Sequence, residues 1–126
     1  MKKYNVGLVI GRFQPFHKGH EYMIRKALSL CKRVVVLVGS SQESGTERNP
    51  FNYQIRKEMI EKVFKKEVSF NRIVIIPIVD KGYGNSPMWG DYIAKACFDS
   101  TGENPDLYIS GCAEERSNWL NHLSID

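Results

Sequence analysis

Along this chain short continuous apolar runs alternate with stretches whose apolar residues recur at helical spacing. Tyr4 to Ile10 reads as a first strand, apolar enough to be covered on both faces as parallel strands are. From Gly19 to Cys31 the pattern becomes helical, with Met23, Ala27, Leu30 and Cys31 on one stripe and Arg25, Lys26 and Ser29 off it. Val34 to Val38 is a valine-rich run ended by Gly39, as expected of a central parallel strand. Ser40 to Pro50 is polar and aperiodic and is predicted to be a loop. Asn52 can cap a second helix, marked by Ile55, Met59, Ile60 and Val63 and running to about Lys66. Ile73 to Val79 is a third strand whose Pro77 predicts an irregular or unpaired end. A glycine-rich loop, Asp80 to Asn85, leads to Ser86-Pro87, a cap with proline in the first turn. The third helix then carries Trp89, Tyr92, Ile93 and Ala96 on its apolar face, Leu107 to Ser110 is a fourth strand, and a short helix follows Gly111.

This βαβαβαβα order predicts an α/β fold, a Rossmann-like parallel sheet with right-handed crossovers and helices on both faces. Ligands of such sheets bind beyond the carboxyl ends of the strands. The loops at 11–17, 40–50, 80–86 and 110–112 all fall at that edge. A length of 126 residues suits one domain spanning residues 1–126.

Composition narrows the function classes. No stretch reaches the roughly 20 apolar residues of a membrane span, and Met1-Lys2-Lys3 leads into no signal-peptide core, so a soluble cytoplasmic protein without membrane partners is expected. Cys31, Cys97 and Cys112 are odd in number and lack C-x-x-C spacing, which argues against a disulfide framework or a thiolate zinc site. The formal net charge of +4 is uneven, because from Glu103 onward five acidic residues face Arg116 alone. A small polyanionic ligand accounts for that excess better than nucleic acid, since the cations form no continuous run with interleaved aromatics.

The chemistry concentrates in Gly11 to His20, G-R-F-Q-P-F-H-K-G-H, where a strand hands over to a helix. A helix N-terminus offers unpaired N–H groups and partial positive charge, and His17 and His20, three apart, add imidazole donors for phosphate oxygens. The pair could instead merely cap and pack. Zinc is disfavoured because His122 is the only other histidine and no cysteine or carboxylate has ligand spacing to the pair. Around the pair, Gly11 lets backbone approach a ligand, Arg12 adds permanent charge, Pro15 stiffens the turn, and Gly19 removes a side chain between the histidines. Lys18 reaches the outer phosphates or points to water. Trp89 on a helical apolar face reads as core or as a stacking surface. Arg48 and Arg56 read as solvated charges or as phosphate contacts, Arg48 the better placed of the two.

The motif G-R-F-Q-P-F-H-K-G-H closely resembles the H-x-G-H signature of the nucleotidylyltransferase superfamily. It is most similar to the form found in nicotinamide mononucleotide (NMN) adenylyltransferases of the archaeal and Nudix-fused types. Val38-Gly39-Ser40-Ser41-Gln42 resembles that family's G-S-x-Q strand end, Arg48-Asn49-Pro50-Phe51 its R-[ND]-P-F turn, and Arg56 with Met59-Ile60 its E-R-x-x-M-I helix start. Ile76-Pro77 and Asp80, then Met88-Trp89, resemble the segment whose tryptophan stacks on nicotinamide, and Asp106 to Gly111 the fourth strand with its serine-glycine. Gln54 departs from the acidic residue or glycine usual there. Family members usually continue to an I-S-G-T-x-x-R-like element that helps hold the triphosphate. Ile109-Ser110-Gly111 with Arg116 lacks its threonine and has the arginine one residue late, so the sequence to Asp126 reads as a shortened homologue or a fragment.

The resemblance implies adenylyl transfer from ATP to NMN with Mg²⁺, releasing pyrophosphate and forming NAD. It implies His17 and His20 as catalytic; Gly11, Arg12, Phe13, Lys18 and Gly111 as ATP-binding; and Ser40, Arg48, Asp80 and Trp89 as NMN-binding, with no protein metal ligand identified. Partners would be ATP and NMN (or NAD), with assembly into a homo-oligomer left open. Two alternatives stand beside it: another nucleotidylyltransferase acting on a different phosphate acceptor, and a nucleotide-sensing module without catalysis.

Overall fold

In the computed structural model, which describes residues 2–83, 86–109 and 125–126, the expected alternation is present. The elements are β1 (Tyr4–Gly11), α1 (Lys18–Leu30), β2 (Cys31–Val38), α2 (Tyr53–Val63), α3 (Lys65–Ser69), β3 (Ile73–Pro77), α4 (Pro87–Thr101) and β4 (Leu107–Ile109). The strands form one parallel sheet in the order β3-β2-β1-β4. β1 and β2, the central strands, are the ones whose sequences are apolar without alternation, because both of their faces are covered.

One face packs Val9, Val34, Val36 and Val38 against Ile24, Ala27 and Leu28 of α1 and Ile60 of α2. The other packs Val6, Leu8, Val35 and Leu37 against Ile93 and Cys97 of α4. Each fully buried Val, Leu or Ile contributes about 1.5–3 kcal/mol. Cys31 and Cys97 are free and buried, and burial pushes both thiols up to about 11, so they pack rather than react.

The structure adjusts several boundaries. Cys31, expected to end the first helix, is the first residue of β2, so α1 passes into the strand with no connecting residue. The second helix breaks at Phe64, whose ring is buried beneath α1 and whose backbone leaves the helical region. β3 ends at Pro77, and as an edge strand it tolerates the missing donor. The buried stripes are also rotated. Ile24 and Leu28 carry the α1 contact, and in α2 Ile55 and Val63 face outward while Arg56 and Ile60 are buried. Ser86 is the N-cap of α4 but makes no side-chain cap bond. The expected helix after Gly111 lies outside the described residues.

Register fixes where the loops emerge. Gly11 pairs with Val38 and Val38 with Pro77, and the Gly39 N–H donates to Gly11 O at 2.8 Å. The loops after β1, β2 and β3 therefore leave the same edge of the sheet side by side.

Candidate active site

Phe13 turns the chain out of β1. It has φ of 54°, left-handed and rare for a bulky residue, and strain of this kind costs of order 1–3 kcal/mol. In return its ring enters the core at 1% exposure. Gly11 is needed for that ring: a Cβ on Gly11 would lie 3.2 Å from the tip of Phe13. Packing of the Phe13 ring thus accounts for a glycine at position 11 independently of any ligand, and any ligand contact from Phe13 is left to its backbone.

The ring of Phe13 supports His20 edge-on, with centroids 4.6 Å apart, and Phe16 flanks the same imidazole at 5.9 Å. His17 is the N-cap of α1 and His20 its third residue, forming a reciprocal capping box. His17 Nδ1 accepts from the Gly19 N–H at 3.1 Å, and the His17 N–H donates to His20 Nδ1 at 3.3 Å. The two rings stack face to face, centroids 3.7 Å apart. Gly19 makes this closeness possible, because a Cβ there would sit 2.9 Å from His17 Cε1.

These bonds decide protonation. His20 is pulled down to about 4 by burial and, secondarily, by His17 beside it, so it is neutral at pH 7. With Nδ1 accepting, its one hydrogen must sit on Nε2. In neutral His17 the same logic applies. No described group engages either Nε2, so the helix mouth presents two adjacent N–H donors above the N-terminus of α1. Capping, one of the two alternatives in the sequence, uses Nδ1 of each ring and leaves the other ring nitrogen available.

Arg56 departs from expectation. It is fully buried rather than solvated or poised on a phosphate. Its guanidinium donates to the carbonyl oxygens of Arg12 (2.9 Å), Gly39 (2.7 Å), Ser40 (3.1 Å), Glu43 (3.4 Å) and Asn52 (3.3 Å). One side chain thereby ties together the exits of β1 and β2. Burial and then the nearby Arg12 lower its affinity for the proton, while Glu43 raises it. Its spacing to Ile60 and Phe64, i, i+4 and i+8, was the available signal that it lies on the inward stripe.

On the β3 side, Ser40 adopts φ of 49° and its hydroxyl donates to Asp80 at 2.9 Å. Gln42 brackets the same residue, its Nε2 donating to Asp80 Oδ2 at 2.9 Å and its Oε1 accepting from the Asp80 N–H at 3.3 Å. Tyr92 accepts from the Val79 N–H at 3.2 Å and packs on Trp89, ring centroids 5.6 Å apart. Trp89 is half-buried against the core in the first turn of α4, so one side of it packs and the rest stays accessible. Ser40 and Asp80 are thus brought together and His17 joins His20. Arg12, Lys18 and Arg48 are exposed without an ion pair among the described residues, where the salt bridges are Arg25–Glu21 and Lys95–Asp99 on helix surfaces. Gly111 lies outside the described residues.

Sequence reasoning missed Gln14. Its carboxamide donates to Phe51 O and accepts from the Phe51 N–H, both at 2.9 Å, bridging the loop after β1 to the turn before α2. It also missed Asn49, which is buried and donates to Glu43 across the loop. The polar character of both residues hid their structural use.

Known proteins share this arrangement. Residues 8–94 match the family described as cytidylyltransferase-like. A nicotinamide-nucleotide adenylyltransferase of Saccharolobus solfataricus is 44% identical over 89 residues, 70% of this chain and 51% of that protein. Another, of Thermoplasma acidophilum, is 39% identical over 79 residues, 63% of this chain and 44% of that protein. The bifunctional NMN adenylyltransferase/ADP ribose pyrophosphatase of Francisella tularensis, crystallised with AMP and a manganese ion, superposes with a TM-score of 0.74 at 30% identity, covering 92% of this chain and 35% of that one. The chain spans about half the length of the curated relatives it matches. With the loops after β1, β2 and β3 all inside the matched residues, the chain belongs to the cytidylyltransferase-like family.

Proposed function

We propose that this chain transfers the adenylyl group of ATP to NMN. An oxygen of the NMN phosphate attacks the α-phosphorus of ATP in line, the bond from that phosphorus to the β-phosphate bridge breaks, and pyrophosphate leaves as NAD forms. The observation that carries the reading is the stacked imidazole pair with both Nδ1 atoms occupied by backbone N–H groups, both Nε2 atoms unengaged by any described group, and His20 neutral at pH 7. Two such donors, rigid before substrate arrives, suit phosphate oxygens that gain charge in the transition state.

Arg12 and Lys18 flank the triphosphate in this reading, with Gly11 and Phe13 contributing backbone; Gly111, outside the described residues, is assigned to ATP on the sequence resemblance alone. Ser40 and Asp80 form the acceptor wall, Arg48 meets the NMN phosphate and Trp89 stacks on its ring. Among the described residues no three His, Cys, Asp or Glu side chains gather as metal ligands would. Mg²⁺ would accordingly arrive as part of the ATP complex, held by phosphate oxygens and water, and supply charge neutralisation there. No helix among the described residues is long and apolar enough to cross a membrane, and free Cys31 and Cys97 suit a reducing cytoplasm, the compartment we assign.

The test is to incubate the chain with Mg²⁺, ATP or CTP, and NMN or nicotinate mononucleotide, and to follow pyrophosphate and dinucleotide. ATP with NMN should give both products in equal amounts. Nucleotide binding without pyrophosphate would overturn the assignment in favour of a sensor, and product only from CTP or with nicotinate mononucleotide would reassign the substrates.

A further inference from the structure

Building on that reading, we propose that Gln14 is a positioning residue that locks the acceptor loop onto the phosphate loop. The segment from Ser40 to Pro50 is anchored at its start, where Arg56 holds the carbonyls of Ser40 and Glu43 and the Ser41 N–H donates to Ile78 O. Among the described residues its middle is hydrogen-bonded to itself, through Gly45 N–H to Pro50 O, Thr46 N–H to Asn49 O, and Asn49 to Glu43. At its exit the bond to another element is the paired one from Gln14 to Phe51, 37 residues away in sequence.

A carboxamide that both donates and accepts copies one rung of a β-ladder, so it fixes the orientation of the Phe51 peptide as well as its distance. Gln14 stands three residues before His17, and Phe51 three residues after Arg48. The clamp therefore sets the spacing between the imidazole pair and Arg48, the exposed cation assigned to the acceptor phosphate. An arginine side chain is long and flexible, and its reach is useful only if its backbone is held. Loosening the exit should weaken acceptor binding while leaving the triphosphate contacts near α1 in place.

Steady-state kinetics of Gln14→Leu and Gln14→Glu test this. Gln14→Leu removes both bonds, and KM for NMN should rise about tenfold, with KM for ATP within twofold of the parent, a loss the size of one or two neutral hydrogen bonds. Gln14→Glu keeps the acceptor for the Phe51 N–H but sets a carboxylate against Phe51 O. Protonation restores the donor, so its activity relative to the parent at each pH should recover as pH falls through the carboxyl range. Hydrogen exchange at the Phe51 amide, which requires no turnover, should accelerate in Gln14→Leu. If the parent itself makes no dinucleotide, the proposed function fails while the exchange result still decides the clamp. Equal rises in both KM values, no acid recovery in Gln14→Glu, or an unchanged Phe51 exchange rate would overturn the proposal.

Discussion

The two ends of the sheet use the same residue types for different purposes. At the N-terminal end Arg72 donates to the carbonyls of Leu28 (2.9 Å), Cys31 (3.2 Å) and Lys32 (3.4 Å), closing the junction of α1 and β2. Asp106 there accepts from the Asn5 and Val6 N–H groups at 3.0 and 2.8 Å. At the C-terminal end Arg56 likewise serves backbone carbonyls, but Asp80 is held by side chains and the two imidazoles keep one donor each unused. Connector length sets the contrast. α1 meets β2 directly and Phe70–Arg72 suffices before β3, whereas Gly39–Asn52 and Ile78–Ser86 stretch across the other end. Short connectors consume polar groups in closing the fold. Long ones, once stapled by a buried arginine, leave side chains over for a ligand.

The largest separation between the two ends should appear in their arginines. Arg56→Met strands up to five carbonyls beneath the loops and should cost about 3–5 kcal/mol or prevent folding, whereas Arg72→Met, at a half-open junction, should cost about 1–2 kcal/mol. Denaturant midpoints measure both; equal losses would erase the distinction. Next in size, His17→Ala or His20→Ala should lower turnover on the order of a hundredfold with only about 1 kcal/mol of stability lost with the cap. Asp106→Ala should do the reverse, lowering the denaturation midpoint while kcat stays within twofold of the parent.

A smaller effect follows from His20. Its folded pKa, about 4, lies below the ordinary 6.5, so on acidification the unfolded chain takes the proton first. The stability linked to this group is fully present above 6.5 and is lost as pH falls from 6.5 to about 4. His20→Gln retains an acceptor for the cap and should flatten that slope relative to the parent; an identical slope would show His20 to be unperturbed. Smallest, Trp89→Ala should raise KM for NMN several-fold with kcat nearly unchanged, because its accessible side stacks while its packed side is only part of the α4 contact. A larger loss in melting temperature than in KM would return Trp89 to the core.

The order of elements along the chain and the place of the candidate site were legible because two signals agreed: continuous apolar runs at β1 and β2, and a glycine- and histidine-rich handover after the first. In α1 apolar residues stand on both candidate stripes, Met23 and Leu30 on one and Ile24 and Leu28 on the other, so periodicity alone did not choose; in α2 the stripe was misread because Arg56 was counted as polar. Its guanidinium is buried with every visible acceptor a backbone carbonyl, and such acceptors have no signature in sequence. Gln14 and Gln42 escaped because their partners, the Phe51 peptide and Asp80, lie 37 and 38 residues away. The His17–His20 pair was found, but its tautomers came only from geometry, from which Nδ1 faces which N–H.

The central claim is that backbone N–H groups occupy both Nδ1 atoms, that His20 is neutral at pH 7, and that both Nε2 atoms are left for phosphate. Long-range ¹H–¹⁵N NMR of the histidine rings, titrated with acid and then with MgATP, reads this directly. The account predicts Nε2–H tautomers for His17 and His20, titration of His20 near 4, and movement of both Nε2 resonances when nucleotide is added. A His20 ring that titrates at 6.5, carries its hydrogen on Nδ1, or ignores MgATP would contradict it.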